Sequence, residues 1–76
     1  MIEEIRTLIR AVDFKPFVIQ LVNGRVIRVD HRDFISVPPN PRQQYVIVYD
    51  KEGRFEIVNT TLAVSIRPVT GKRRAG

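Results

Sequence analysis

Two stretches of alternating apolar residues, each folding back at a glycine, constrain this chain more than anything else in it. In FVIQLVNGRVIRV (17–29) the fold-back is at Asn23-Gly24, and in YVIVYDKEGRFEIVN (45–59) it is at Glu52-Gly53. A two-residue turn at Asn23-Gly24 would pair Leu21 with Val26 and Ile19 with Arg28, leaving both faces mixed. A three-residue loop, Val22-Asn23-Gly24, pairs Ile19 with Ile27 and Phe17 with Val29, and sets glycine at the left-handed position such a loop needs. Phe17, Ile19, Ile27 and Val29 are then expected inward, with Val18, Gln20, Val26 and Arg28 outward. The same loop at Lys51-Glu52-Gly53 pairs Tyr49 with Phe55 and Ile47 with Ile57. It predicts a core face of Tyr45, Ile47, Tyr49, Phe55 and Ile57, an aromatic and β-branched set suited to cross-strand packing. Val46 and Val58 are left on the outer face.

The flanking segments supply what two hairpins lack. Ile2, Ile5, Leu8, Ile9 and Val12 recur three and four residues apart, the spacing of one helical face. Glu3 and Glu4 near its start and Arg6 and Arg10 later suit the helix dipole. Pro16 disfavours helix at Lys15, so a helix over 2–13 is expected. VPPNPRQQ (37–44) has three prolines and reads as an exposed loop. Asn59-Thr60-Thr61 reads as a tight corner, and LAVSIRPV (62–69) as a last strand with Leu62, Val64 and Ile66 inward. The predicted fold is mainly β with one N-terminal helix: a small, strongly bent, five-stranded antiparallel barrel of the SH3-like kind. It forms one domain over 1–69, with the helix at 2–13 and strands within 16–69. Ile5, Ile9, Ile19, Ile27, Ile47, Ile57 and Ile66 are expected to share its core, and 70–76 to be a disordered basic tail.

A chain of 76 residues buries only about 60% of the surface its unfolded form exposes. It has no cysteine to staple it, so tight packing or a partner subunit must supply the rest. MIEEIRTLIR carries acids where a signal peptide wants bases, and no apolar run approaches a membrane span. A soluble, cytoplasmic protein is expected. The net charge is +5, but Arg67, Lys72, Arg73 and Arg74 put four bases and no acid into residues 67–76. The remaining nine bases face eight acids, so the body is nearly neutral and a broad basic face is not expected.

Catalysis finds little support. His31-Arg32-Asp33 matches the start of a kinase catalytic loop, but Pro38 stands where that loop needs asparagine. His31 suits a strand bend, where Asp30 or Asp33 could bond its ring. Ser36 and Ser65 lack an evident base, and the carboxylates match no metal-loop spacing. No enzyme activity, metal or cofactor is expected.

The run Pro16-x-x-Ile19-x-Leu21-Val22-Asn23-Gly24, after an amphipathic helix and before a strand ending Ile66-Arg67-Pro68, resembles the opening hairpin of the Sm-like family. Within that family it is most similar to bacterial RNA chaperones of the Hfq type. It is also similar to short bacterial proteins with a helix and then a Phe-x-Pro-Phe-x-Ile-x-Leu-x-x-Gly pattern, here Phe14 to Gly24. The resemblance implies a bent barrel, ring-shaped homo-oligomers joined through edge strands, and single-stranded RNA as ligand. Gln20 stands where the family has a base-stacking aromatic, and Asn59, Thr60 and Thr61 stand where it has Tyr-Lys-His. Ala11 and Val12 take the place of a basic pair, and no glycine marks the bend in the second strand. The candidate RNA contacts are therefore Gln20, Asn59, Thr60 and Thr61, the basic cluster Arg25, Arg28 and Arg32, and Lys72, Arg73 and Arg74. Alternatively, the chain is a structural or protein-interaction module whose edge strands pair with a partner and which binds no nucleic acid.

Overall fold

The computed structural model describes residues 1–69; the expected tail at 70–76 lies outside the described residues. Helix α1 (Ile2–Arg10) leads into strands β1 (Phe17–Leu21) and β2 (Val26–Val29). A 3-10 turn (Arg32–Phe34) then precedes β3 (Ile35–Ser36). Strands β4 (Tyr45–Tyr49) and β5 (Phe55–Asn59), a second 3-10 turn (Thr60–Leu62) and β6 (Ala63–Pro68) complete the order. Six strands stand where five were expected, because the bend after Asp30 splits the second strand into β2 and β3. They form two three-stranded antiparallel sheets, β2-β1-β6 and β3-β4-β5, and no closed barrel forms among the described residues.

Both hairpins adopt the three-residue loop. Leu21 N–H donates to Arg25 O at 2.8 Å and Asp50 N–H to Arg54 O at 2.9 Å, closing each loop. Gly24 and Gly53 take φ of 90° and 85°, a region that costs a residue with a side chain about 1–2 kcal/mol. Asn23 Oδ1 accepts from Arg25 N–H, and Asp50 Oδ1 accepts from Glu52 and Arg54 N–H. These local bonds pin the register, which runs Phe17↔Val29 and Ile19↔Ile27 in one hairpin and Ile47↔Ile57 and Tyr49↔Phe55 in the other.

The core matches expectation on the β1–β2 hairpin and inverts it on the β4–β5 hairpin. Ile2, Ile5, Phe17, Ile19, Leu21, Ile27, Val29 and Ile35 are buried, with Leu8, Ile9 and Ile66 packed against them. On the β4–β5 hairpin the buried residues are Val46 (0% exposed) and Val58 (4%). Phe55 (65%), Ile57 (60%) and Tyr49 (39%) face outward, and Tyr45 and Ile47 are half-buried. Register was legible but side was not, because both faces of this hairpin are apolar. Val46 and Val58 join the core cluster built by the helix and the first sheet. Glu56 shares the inward phase with Val58, and it is accommodated there because it sits at the rim beside Arg25.

Two smaller corrections have local causes. The helix stops at Arg10 and Ala11 is extended (ψ 138°), so Val12 leaves the helical face and is fully exposed. Arg32 donates to Ala11 O at 2.9 Å, placing a cation at the helix C-terminus, where the dipole favours it. In the last strand the register shifts between Gln20 and Leu21, pairing Leu21 with Ala63 and Ile19 with Ile66. That bulge turns Ala63 and Ile66 toward the core and leaves Leu62 and Val64 exposed.

Candidate functional site

The candidate RNA contacts do not gather in one place. Arg25, just after the first loop, reaches across to β5 and forms a two-pronged ion pair with Glu56. The pair joins the two sheets, and both partners are about half exposed. Hydrogen bonding to Glu56 raises the Arg25 pKa. Hydrogen bonding from Arg25 holds the Glu56 carboxyl below its usual range, against a smaller desolvation effect. Arg28 donates to Asp30 at 2.5 Å. Arg32 is spent on the helix end, its guanidinium 5.7 Å from the Phe14 ring centre as well as bonded to Ala11 O. The exposed His31 ring meets Phe34 edge-on at 5.9 Å.

The corner residues serve the chain's own turn. Asn59 Oδ1 accepts from Thr61 N–H at 3.0 Å and from the Thr61 hydroxyl at 2.7 Å, capping the second 3-10 turn. Thr60 is buried (2%); its N–H donates to Gln44 O at 2.8 Å, while its hydroxyl has no protein partner. A buried, unpaired hydroxyl costs about 1–3 kcal/mol. Thr60→Val is therefore expected to raise stability by about 1 kcal/mol in denaturant titration. A loss of similar size would show that the hydroxyl is bonded after all. Lys72, Arg73 and Arg74 lie outside the described residues.

Gln20 and Arg28 share the outer face of the first sheet. The cross-strand rows there are Val26–Gln20–Ser65 and Arg28–Val18–Arg67, and Arg67 donates to Gln20 Oε1 at 3.3 Å. Two arginines, one of them paired with Asp30, stand at that face. At the tip of the β4–β5 hairpin, Arg54 bonds Asp50 and Glu52. Asp50 is held below the usual carboxylate range although desolvation opposes this, because Arg54 and the Glu52 N–H all donate to it.

The Arg25–Glu56 pair predicts an acid-sensitive link between the sheets. Because the folded Glu56 pKa is depressed, its stabilisation is fully present above the unfolded value and is lost as pH falls through the folded one. The Tm difference between the wild type and Glu56→Gln is therefore expected to be constant near neutrality. It should shrink as pH drops below the ordinary value of 4.5. A difference that stays constant into strong acid would show that the pair contributes nothing specific.

The surface that sequence reasoning misassigned is the outer face of β3-β4-β5. Its cross-strand rows are Tyr45–Asn59, Ile47–Ile57 and Tyr49–Phe55, with Ser36 beside Ile47. None of these side chains is charged. The signal was present in the sequence: both phases of the hairpin are apolar, so one apolar face had to remain outside. Among the described residues no cluster of His, Cys, Asp or Glu could hold a metal, and no helix is long and apolar enough to cross a membrane. Comparison with known protein families, with characterised proteins and with solved structures finds no match to this chain.

Proposed function

We propose that this chain is a small Sm-like, SH3-like protein-interaction module that assembles with copies of itself through its edge strands. One observation carries this. Strands β5 and β6 are each paired on one side only. Each edge region also exposes apolar side chains, Phe55 and Ile57 on β5, and Leu62 just before β6 and Val64 within it. Monomers usually blunt such edges with charges, bulges or covering segments. Pairing β5 of one copy with β6 of the next uses a different patch on each, a head-to-tail contact that closes into a ring when the rotation allows. A thin core without disulfides gains from such a partner. No catalysis is assigned to the chain, and a cytoplasmic setting fits the absence of cysteine.

Light scattering on the full chain is expected to give a multiple of the 8.8 kDa chain mass at tens of micromolar. Backbone amides of 55–59 and 63–68 should exchange more slowly as concentration rises. A monomer throughout, with unchanged exchange at both edges, would refute edge assembly. Weak contact with single-stranded RNA is a second function of the same module, supported by Arg28, Gln20 and Arg67 in adjacent rows on the outer face of the first sheet and by the bases at 72–74. The pairing of Arg25 with Glu56 and the use of Arg32 at the helix end make it subordinate.

A further inference from the structure

We propose that the groove between α1 and the end of β6 holds the segment that follows it in the chain, residues 70–76, and sets Lys72, Arg73 and Arg74 against Glu3 and Glu4. The groove has a volume of about 740 Å³, within the range of about 300–1,000 Å³ that small-ligand sites occupy. Leu8, Ile66 and Pro68 form its apolar walls, and Glu3, Glu4 and Thr7 its polar rim. Both glutamate side chains are 68% exposed. Glu3 lies 3.8 Å from Arg6, a long ion pair. Met1 completes the lining, its ammonium 3.2 Å from Glu4. A carboxylate accepts several bonds, so each keeps capacity for a second cation. No lysine or arginine of the described residues lines the groove.

Position and charge select the occupant. Pro68 lines the groove, and Val69 after it donates its N–H to Pro16 O at 3.0 Å. Thr70 therefore leaves from the groove's own rim, and Gly71 supplies the freedom to turn back. Residues 72–74, extended, reach roughly 10 Å, more than the roughly 7 Å from Pro68 back to Ile66. Residues 70–76 carry three bases and no acid. Lysine and arginine lay long apolar stems along apolar walls while their charged ends reach a polar rim, which is the combination this groove offers. A purely apolar partner would strip water from Glu3 and Glu4 without replacing it, and an acidic one would meet like charge. A basic segment on another molecule has the same chemistry, but a tethered one acts at millimolar effective concentration. This docking goes beyond edge assembly and does not depend on it. Its consequence rests on the RNA reading. Bases held by α1 are withheld from phosphate, and apparent affinity is reduced to the fraction of chains whose segment is released.

Docking is read without RNA. In amide nuclear magnetic resonance spectra of the full chain, the triple change Lys72→Ala, Arg73→Ala and Arg74→Ala is expected to shift Thr7 and Leu8, and to leave Val22 and Gly53 at the hairpin loops unmoved. Diluting the full chain should not move Thr7 and Leu8. Carbodiimide coupling at low micromolar protein should join Lys72 to Glu3 or Glu4 within one chain. Silent Thr7 and Leu8 amides, with no such coupling, overturn the proposal. Shifts that vanish on dilution overturn it too, because the groove would then take the segment of another copy. The consequence is read with a single-stranded homopolymer. Glu3→Gln with Glu4→Gln should bind it about twofold or more tightly than Asp13→Asn with Asp33→Asn, which adds the same charge away from the groove. Equal affinities would refute the withholding of bases. If Thr7 and Leu8 respond but no variant binds the homopolymer, docking stands and the RNA reading falls. If the homopolymer binds while Thr7 and Leu8 stay silent, the RNA reading stands and docking falls.

Discussion

Replacing Phe17 with alanine is expected to remove most of this domain's stability, whereas the same change at Phe55 is expected to cost little. Phe17 lies on the central strand of its sheet, is 1% exposed, and meets Phe14 with ring centres 6.0 Å apart. Deleting a buried phenylalanine side chain costs about 3–5 kcal/mol in lost transfer energy and cavity formation. A domain of this length holds only about 4–11 kcal/mol in total, at roughly 0.05–0.15 kcal/mol per residue. Phe55 is 65% exposed, so its removal from a monomer should change stability by no more than about 1 kcal/mol. Urea titrations at low protein concentration, where assembly does not contribute, test both. Equal losses for the two variants would place the aromatic face of the second hairpin inside after all. Ile47 moves with it: being half-buried on the outward face, it loses the core role that alternation suggested, and Val46 takes that role.

Affinity for a single-stranded homopolymer is expected to be weak and to fall about 50-fold between 50 and 200 mM salt, from a log-log slope of about −2.8. The slope corresponds to four phosphates neutralised at roughly 0.7 each, the number of bases from Arg67 to the end of the sequence. The body has little to add. Arg25, Arg28 and Arg54 each already have a carboxylate partner, and Arg32 holds a helix end. Assembly would multiply the basic segment around one particle and raise avidity without any base being read. Deleting residues 70–76 should abolish most binding and leave the circular dichroism unchanged. Tight binding of one homopolymer by the truncated chain at 200 mM salt would show base reading by the body (a condition set by the same salt relation). Gln20, Arg28 and Arg67 would then be its site.

Local chemistry wrote the hairpins into the sequence. Gly24 and Gly53 supply the left-handed residue, and Asn23 and Asp50 supply side-chain acceptors within the turn. Nothing distant is needed to choose those registers. The helix was legible from its spacing, and the proline loop and the Asn59 corner from their residue types. What the sequence could not state was the sign of an alternation whose two phases are both apolar. Period two says that Val46 and Ile47 face opposite ways, and it is silent on which of them meets the core. Tertiary packing decided that: Val46 and Val58 join the core shared with the helix and the first sheet, and the other phase is left outward. The fate of the charges was decided the same way. Arg25 meets Glu56 31 residues away only once two sheets are folded against each other. A cluster that looks free in one dimension is therefore paired in three.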